Sequence, residues 1–150
     1  MYKKLVIKWS ECGLSCNHAH EEMTIDIKGV SFKRWSDFYL GSELLDELGI
    51  CNKPIEWKMK INDPEYYFSF QELCDTYINK RDSWLIVSGC DVPMFTIELF
   101  YSDGKKKEEE FMLDLLQNGM HEFASKLIKF IPHACTTPLL IDYNSDIDEE

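Results

Sequence analysis

A chain of 150 residues lies near the commonest size of a single domain, and its 45% hydrophobic composition supplies a core and excludes a disordered chain. Twenty-seven acidic against sixteen basic residues give a formal net charge of −11, which disfavours direct binding to nucleic acid or to an anionic membrane surface. No apolar run is long enough to span a bilayer or to form the core of a secretion signal, so we expect a soluble protein of the reducing cytoplasm.

The N-terminal segments alternate apolar and polar residues with the period of two that is typical of half-buried strands. A first strand is predicted around residues 4–10 and a second over residues 22–28. Their side chains predicted to face the core are Leu5, Ile7, Trp9, Met23, Ile25 and Ile27. Gly29 is predicted to allow a tight reversal into a third strand, so an N-terminal meander is expected with residues 11–21 as its longest loop.

The predicted loop over residues 11–21 contains the densest cluster of reactive side chains. Two thiols and two imidazoles lie close together there: Cys12, Cys16, His18 and His20. Zinc accepts sulfur and nitrogen ligands together, so these four residues form a candidate zinc site, with Glu21 or Glu22 as the base if the site is catalytic. The spacing lacks the usual Cys-x-x-Cys, and the alternative is a polar hairpin loop. In the reducing cytoplasm all six cysteines are expected to be thiols.

The middle of the chain predicts a short helix and then the clearest strand. Residues 42–48 place leucines on one side of a helix that Gly49 can end. The strictest alternation follows, and its predicted core-facing residues are Ile55, Trp57, Met59 and Ile61. We expect Trp57 to be a core residue because it lies in the middle of this strand. Asp63-Pro64 is predicted to end the strand.

A helix is predicted to begin at Ser69. Ser69 and Glu72 have the spacing of a capping box, in which each side chain bonds the backbone N–H of the other residue. Phe68 and Leu73 are placed to form the accompanying hydrophobic staple. The helix is predicted to end near Lys80, and its predicted buried residues are Phe70, Leu73, Cys74 and Tyr77.

The next segments predict a central strand and a charged hairpin. Residues 83–88 form a short apolar run, and residues 95–101 and 105–113 then flank the turn sequence Asp103-Gly104. A two-residue turn would place Glu98 opposite Glu109, and a three-residue turn would place it opposite Glu108. The glutamates of this hairpin are Glu98, Glu108, Glu109 and Glu110. They form either a solvated edge that blocks aggregation or a surface that binds a basic protein partner.

A second main helix is predicted from a cap at Asn118 to Pro132. Its apolar stripe consists of Met120, Phe123, Leu127 and Ile131. Residues 139–143 predict a last strand, and residues 144–150 form an acidic tail. We therefore predict one α+β domain over residues 1–143, with two main amphipathic helices packed on one face of an antiparallel or mixed β-sheet.

Residues 92–104 and the helix that follows them to Pro132 resemble the C-terminal half of small bacterial and phage-encoded proteins. Immunity partners of toxins and inhibitors of host defence are among the proteins of this type. The resemblance rests on a hairpin followed by a helix, and it carries over no functional residue.

The net charge, the chain length and the motifs of the sequence favour some classes of function over others. The sequence has no nucleotide-binding glycine motif, no nucleophile elbow and no calcium loop. These features favour a non-catalytic, acidic protein that inhibits or neutralises a basic protein partner, with no cofactor. One alternative is a zinc-binding protein or a small metal-dependent hydrolase that uses the loop from Cys12 to His20. Another is a domain that binds a small molecule in an apolar pocket under the sheet.

Overall fold

The computed structural model describes residues 1–10, 19–36, 54–80, 94–112 and 119–135. Within these ranges the chain forms six strands and two α-helices, which confirms the predicted α+β class, although the sheet forms a larger part of the fold than predicted. The strands are β1 (Tyr2–Ser10), β2 (Ala19–Asp26), β3 (Gly29–Ser36), β4 (Ile55–Lys60), β5 (Met94–Tyr101) and β6 (Lys106–Met112). The helices are α1 (Pro64–Cys74) and α2 (His121–Ile128), and a π-helical turn, Asp75–Asn79, follows α1.

The six strands form one sheet in the order β4-β3-β2-β1-β5-β6, and every neighbouring pair is antiparallel. The central strand β1 therefore pairs with β2 on one side and with β5 on the other. Leu5 lies between Ile25 and Leu99 in this register, so apolar side chains of three strands share a row. We call the face that carries Leu5 the inner face and the opposite face, which carries Lys8, the outer face.

The inner face and both helices share one hydrophobic core. The helices contribute buried side chains at the predicted positions, namely Phe70, Leu73, Cys74, Met120, Phe123 and Leu127. Trp57 differs from its prediction, because it is only half-buried and packs against Phe32 at a ring distance of 5.7 Å. Its strand, β4, is an edge of the described sheet, and an edge strand is covered by neighbours on fewer sides.

The turn between β2 and β3 also differs from the prediction. Because β2 ends at Asp26, Ile27 lies in the turn and is 44% exposed. The Asp26 carboxylate accepts hydrogen bonds from the backbone N–H groups of Lys28 and Gly29 at 2.7 and 3.0 Å. Gly29 is required for a close approach: a Cβ at this position would lie 2.0 Å from the carbonyl oxygen of Met59.

Helix α1 begins at Pro64 and not at the predicted capping box around Ser69. The Asp63 carboxylate accepts a hydrogen bond from the backbone N–H of Glu65 at 2.9 Å, and Pro64 occupies the first turn, where no N–H is needed. Phe68, the predicted staple residue, is 69% exposed. The Asp63-Pro64 pair therefore both ends the strand segment and starts the helix.

Polar side chains attach α1 to the sheet. The backbone N–H of Tyr2 donates to the Gln71 Oε1 at 2.8 Å, and the Gln71 Nε2 donates to the carbonyl of Tyr2 at 2.7 Å. The Tyr66 hydroxyl lies 2.9 and 2.8 Å from the carbonyl oxygens of Asp26 and Gly29. Helix α1 is thus held at two separate points of the sheet.

Several predicted elements fall outside the described residues. They are the helix over residues 42–48, the strands over residues 83–88 and 139–143, the cap at Asn118 and the tail over residues 144–150. Cys74 and Cys135, which are described, are free thiols as predicted. Neither described helix has the length and apolar character needed to cross a membrane.

Candidate functional site

The β5–β6 hairpin adopts the second of the two predicted registers. The backbone N–H of Tyr101 donates to the carbonyl of Lys105 at 2.9 Å, which leaves three residues in the turn. Gly104 has a φ of 91°, in the region that favours glycine. Glu98 therefore pairs with Glu108.

Glu98 is largely buried on this hairpin and pairs with two lysines. Its side chain lies on the outer face and the residue is only 8% exposed. Its carboxylate lies 2.6 Å from the Nζ of Lys106 and 3.2 Å from the Nζ of Lys8. Lys106 also lies 2.6 Å from the carboxylate of Glu108. One lysine thus bridges the two facing glutamates and offsets the repulsion expected between them.

The pairing of Glu98 predicts a pH dependence of stability. Burial alone would raise the pKa of Glu98, but hydrogen bonds from Lys106 and Lys8 outweigh it and hold the pKa below its ordinary value. A carboxyl group with a lowered pKa in the folded state stabilises the fold above its unfolded pKa, and this stability is lost as pH falls through the folded pKa. When the pH is lowered from about 6 to 3, we expect the free energy of unfolding to fall less in the Glu98→Gln variant than in the wild type.

Urea denaturation at several pH values measures this difference. Glu110→Gln, which changes an exposed glutamate on the same face, is the matched control and should follow the wild type. Identical pH profiles for Glu98→Gln and the wild type would contradict the assigned role of the two lysines.

Strand alternation separates the four predicted partner-binding glutamates. Glu98, Glu108 and Glu110 lie on the outer face, whereas Glu109 pairs with Ile97 and lies on the inner face. Glu108 and Glu110 are exposed, and Glu109 is half-buried. The four residues therefore do not share one surface, and their role in partner binding stays a prediction.

Of the four predicted zinc ligands, the described residues include only His20. It belongs to β2, which begins at Ala19, so residues 19–21 lie in a strand and not in the predicted loop. The His20 Nδ1 lies 2.8 Å from the Ser10 hydroxyl, and its ring stacks on Trp35 at 5.3 Å. The other predicted ligands, Cys12, Cys16 and His18, lie outside the described residues. Within the described ranges, no three histidine, cysteine or acidic side chains cluster as metal ligands would.

The two candidate bases of a catalytic zinc site lie on opposite faces of β2. Glu21 lies on the inner face, is 2% exposed, and accepts hydrogen bonds from Arg34 at 2.8 and 2.5 Å. Glu22 lies on the outer face, 3.8 Å from Lys33. Zinc binding by this segment stays a prediction, but Glu21 is engaged by a guanidinium within the fold.

A cleft of about 730 Å³ lies between α1, α2 and the end of β4. Two aromatic contacts connect the two helical segments. Tyr66 of α1 meets Phe130, which follows α2, edge-on at 5.5 Å, and Tyr77 of the π-helical turn contacts Phe123 of α2 at 5.8 Å. The cleft occupies the space along the helices between these contacts.

Two stripes of polar side chains of different charge line the cleft. The α1 stripe consists of Glu65, Ser69 and Glu72 of the helix and of Thr76 in the π-helical turn. The α2 stripe consists of Glu122 and Lys126 of the helix and of Lys129 and His133, which follow its last residue. Within each helix the spacing of three or four residues places these side chains on one side and is the sequence signal that marks the stripe. No sequence motif indicates that the two stripes face one cleft.

Two of the acidic groups at the cleft act on neighbouring parts of the fold. Partial burial and the nearby carboxylate of Glu122 both raise the pKa of Tyr77. The Asp63 carboxylate caps α1. Among the described residues, no ion pair connects Glu65 or Glu72 with the lysines of the α2 stripe.

Comparison with protein-family models, with curated proteins and with solved structures finds no match for this chain. Its function is therefore inferred from the charges, cleft and contacts described above.

Proposed function

We propose that this chain is a non-catalytic binding protein that neutralises a basic protein partner, in the manner of toxin-immunity proteins and inhibitors of host defence. The observation that supports the proposal is the distribution of charge. In the described residues fourteen acidic side chains balance fourteen basic ones. The formal charge of −11 is therefore carried by the remaining segments, which contain thirteen acidic and only two basic residues.

This distribution favours attraction of a basic partner over a role in folding. Four acidic groups of the sheet have cationic neighbours, as Glu98 has Lys8 and Lys106; the other three are Glu21, Glu22 and Glu108. The chain as a whole carries a formal net charge of −11, and an excess of this size produces a long-range negative potential. Such a potential steers a basic partner and raises the association rate, with an effect that salt screens over about 8 Å at physiological ionic strength.

Association kinetics at low and high salt test the proposal, using a partner captured on the immobilised full-length chain at low salt. The tail variant Asp148→Asn, Glu149→Gln, Glu150→Gln removes three charges from the acidic C-terminus. We expect it to lower the association rate by about tenfold at low salt and to leave the melting temperature unchanged.

The matched variant Glu56→Gln, Glu108→Gln, Glu110→Gln removes three exposed charges from the balanced sheet. A slower association of this variant would assign recognition to the outer face, where three of the predicted partner-binding glutamates lie, Glu108 and Glu110 among them. An association rate that ignores salt and both variants would contradict the proposed function.

A further inference from the structure

The cleft between α1 and α2 has walls of opposite charge, and we propose that it binds a segment of the protein partner that carries one cationic and one anionic side chain. The proposal rests on the proposed function and adds the chemistry of the segment that is recognised. It goes beyond overall attraction, because a net charge alone selects no particular sequence in the partner.

Opposite charges on the two walls exclude a ligand of a single sign. Glu65 and Glu72 extend from α1 and are exposed. On the α2 side the exposed Lys126 and Lys129 outnumber the one acidic residue there, Glu122, so that side is positive on balance. Because no ion pair joins the two α1 glutamates to the two lysines within the described residues, neither wall neutralises the other. A purely basic segment would be repelled by the lysines and a purely acidic one by the glutamates. A segment with both charges satisfies both walls.

Apolar side chains between the two charged walls provide a surface that the bound segment can contact. Met59 and Ile61 reach the cleft from the end of β4, and Ile131 and Pro132 reach it after α2; all four are half-buried. A volume of about 730 Å³ lies within the range of ligand clefts and exceeds the needs of one small ion. Apolar contact also displaces water, which strengthens the charge interactions beside it. The middle of the bound segment is therefore expected to be apolar.

The cleft is held open by contacts made without a ligand. The Tyr66–Phe130 pair joins α1 to the segment after α2, and the Tyr77–Phe123 pair joins the π-helical turn to α2, so the two sides of the cleft are held together at two points. Tyr66 is also hydrogen-bonded to the turn between β2 and β3, so α1 is fixed to the sheet on the other side. Binding to a cleft that is already formed costs less conformational entropy than binding that must first order it.

Three blocked tripeptides provide a direct test by NMR titration of the ¹⁵N-labelled chain. Acetyl-Arg-Trp-Glu-amide carries both charges, whereas the Gln-Trp-Glu and Arg-Trp-Gln analogues each carry one. We expect the doubly charged peptide to bind about fivefold more tightly than either analogue and to shift the amide signals of both stripes. Equal affinities for the three peptides, shifts confined to other regions, or no binding would overturn the inference.

Two double variants test which side of the cleft recognises each charged side chain of the peptide. Glu65→Gln with Glu72→Gln should abolish the preference for arginine over glutamine at the first peptide position. Lys126→Gln with Lys129→Gln should abolish the preference for glutamate at the third. Glu108→Gln with Glu110→Gln is the control and should retain both preferences, and melting temperatures check that every variant folds. A cleft variant that folds and retains both preferences would contradict the assignment.

Kinetics with the captured partner separate this inference from the proposed function. Salt-dependent association that both cleft variants leave unchanged would overturn the cleft as the binding site and leave the proposed function standing. Association that is independent of salt would contradict the proposed function itself. Loss of binding in both cleft variants, with salt dependence retained in the wild type, would support the two proposals together.

Discussion

Replacing Phe70 by alanine should lower the free energy of unfolding by about 3–5 kcal/mol. The ring is fully buried in the core that the inner face of the sheet shares with both helices. Its removal loses the transfer free energy of the ring, and the cavity left behind costs more because the neighbours relax only in part. Denaturant unfolding measures the effect as a lower midpoint with an unchanged slope.

Phe68→Ala is the matched control for this prediction. It is the same substitution in the same helix, but the Phe68 side chain is 69% exposed, so we expect a change of about 0.5 kcal/mol or less. The pair of variants also tests where α1 begins. If Phe68→Ala were as damaging as Phe70→Ala, the helix would be placed wrongly and the staple predicted from the capping box would regain support.

Replacing Arg34 by methionine should cost about 3–5 kcal/mol of unfolding free energy. The substitution leaves Glu21, which is 2% exposed, without the guanidinium that donates to it at 2.8 and 2.5 Å. A carboxylate that loses a paired cation in such a place keeps its desolvation penalty and loses the attraction of that cation, which compensates the penalty. Thermal or denaturant unfolding of the purified variant measures the loss.

Two further variants distinguish a buried ion pair from general damage to β3. Adding Glu21→Leu to Arg34→Met removes both charges and should restore most of the lost stability, since apolar residues can replace a buried pair at little cost. Lys33→Met breaks the neighbouring, more exposed pair with Glu22 and should cost about 1 kcal/mol or less. A double variant as unstable as Arg34→Met would show that the pair is not the source of the effect.

The strands could be predicted from sequence because their signal is local. Side chains alternate between faces with a period of two, so the core-facing positions of Leu5, Ile7 and Trp9 follow from the segment itself. Ile27 continued the same pattern, but the chain turns before it and leaves it exposed. Alternation marks the face of a residue and does not mark the residue at which pairing ends.

The start of α1 was mispredicted because two local signals compete. Ser69 with Glu72 and Asp63 with Pro64 are both favourable helix starts. The longer helix buries Tyr66, which then packs on Phe130 and bonds the turn between β2 and β3. These contacts join residues far apart in the sequence, and they favour the earlier start.

The contacts of Glu98 on the hairpin likewise depend on residues that are distant in the sequence. Both registers predicted from the turn place Glu98 opposite a second glutamate, and the three-residue turn selects Glu108 over Glu109. The neutralisation of Glu98 by Lys8 was not predicted, because that lysine lies on β1 and approaches only when β1 and β5 pair. A surface predicted to be acidic is thus partly compensated by a distant strand.

The amino-acid sequence by itself determined the net charge, the class of fold and the residues that share each strand or helix face. It also contains the helical spacing of the charged residues that line the cleft within each helix, Glu65 with Glu72 and Glu122 with Lys126. Only the tertiary structure decided that the two stripes face each other and that acidic and basic groups balance within the described fold. The physical reason is that the periodicity of a segment sets which side chains lie together on one face, whereas long-range packing against the sheet sets what that face meets.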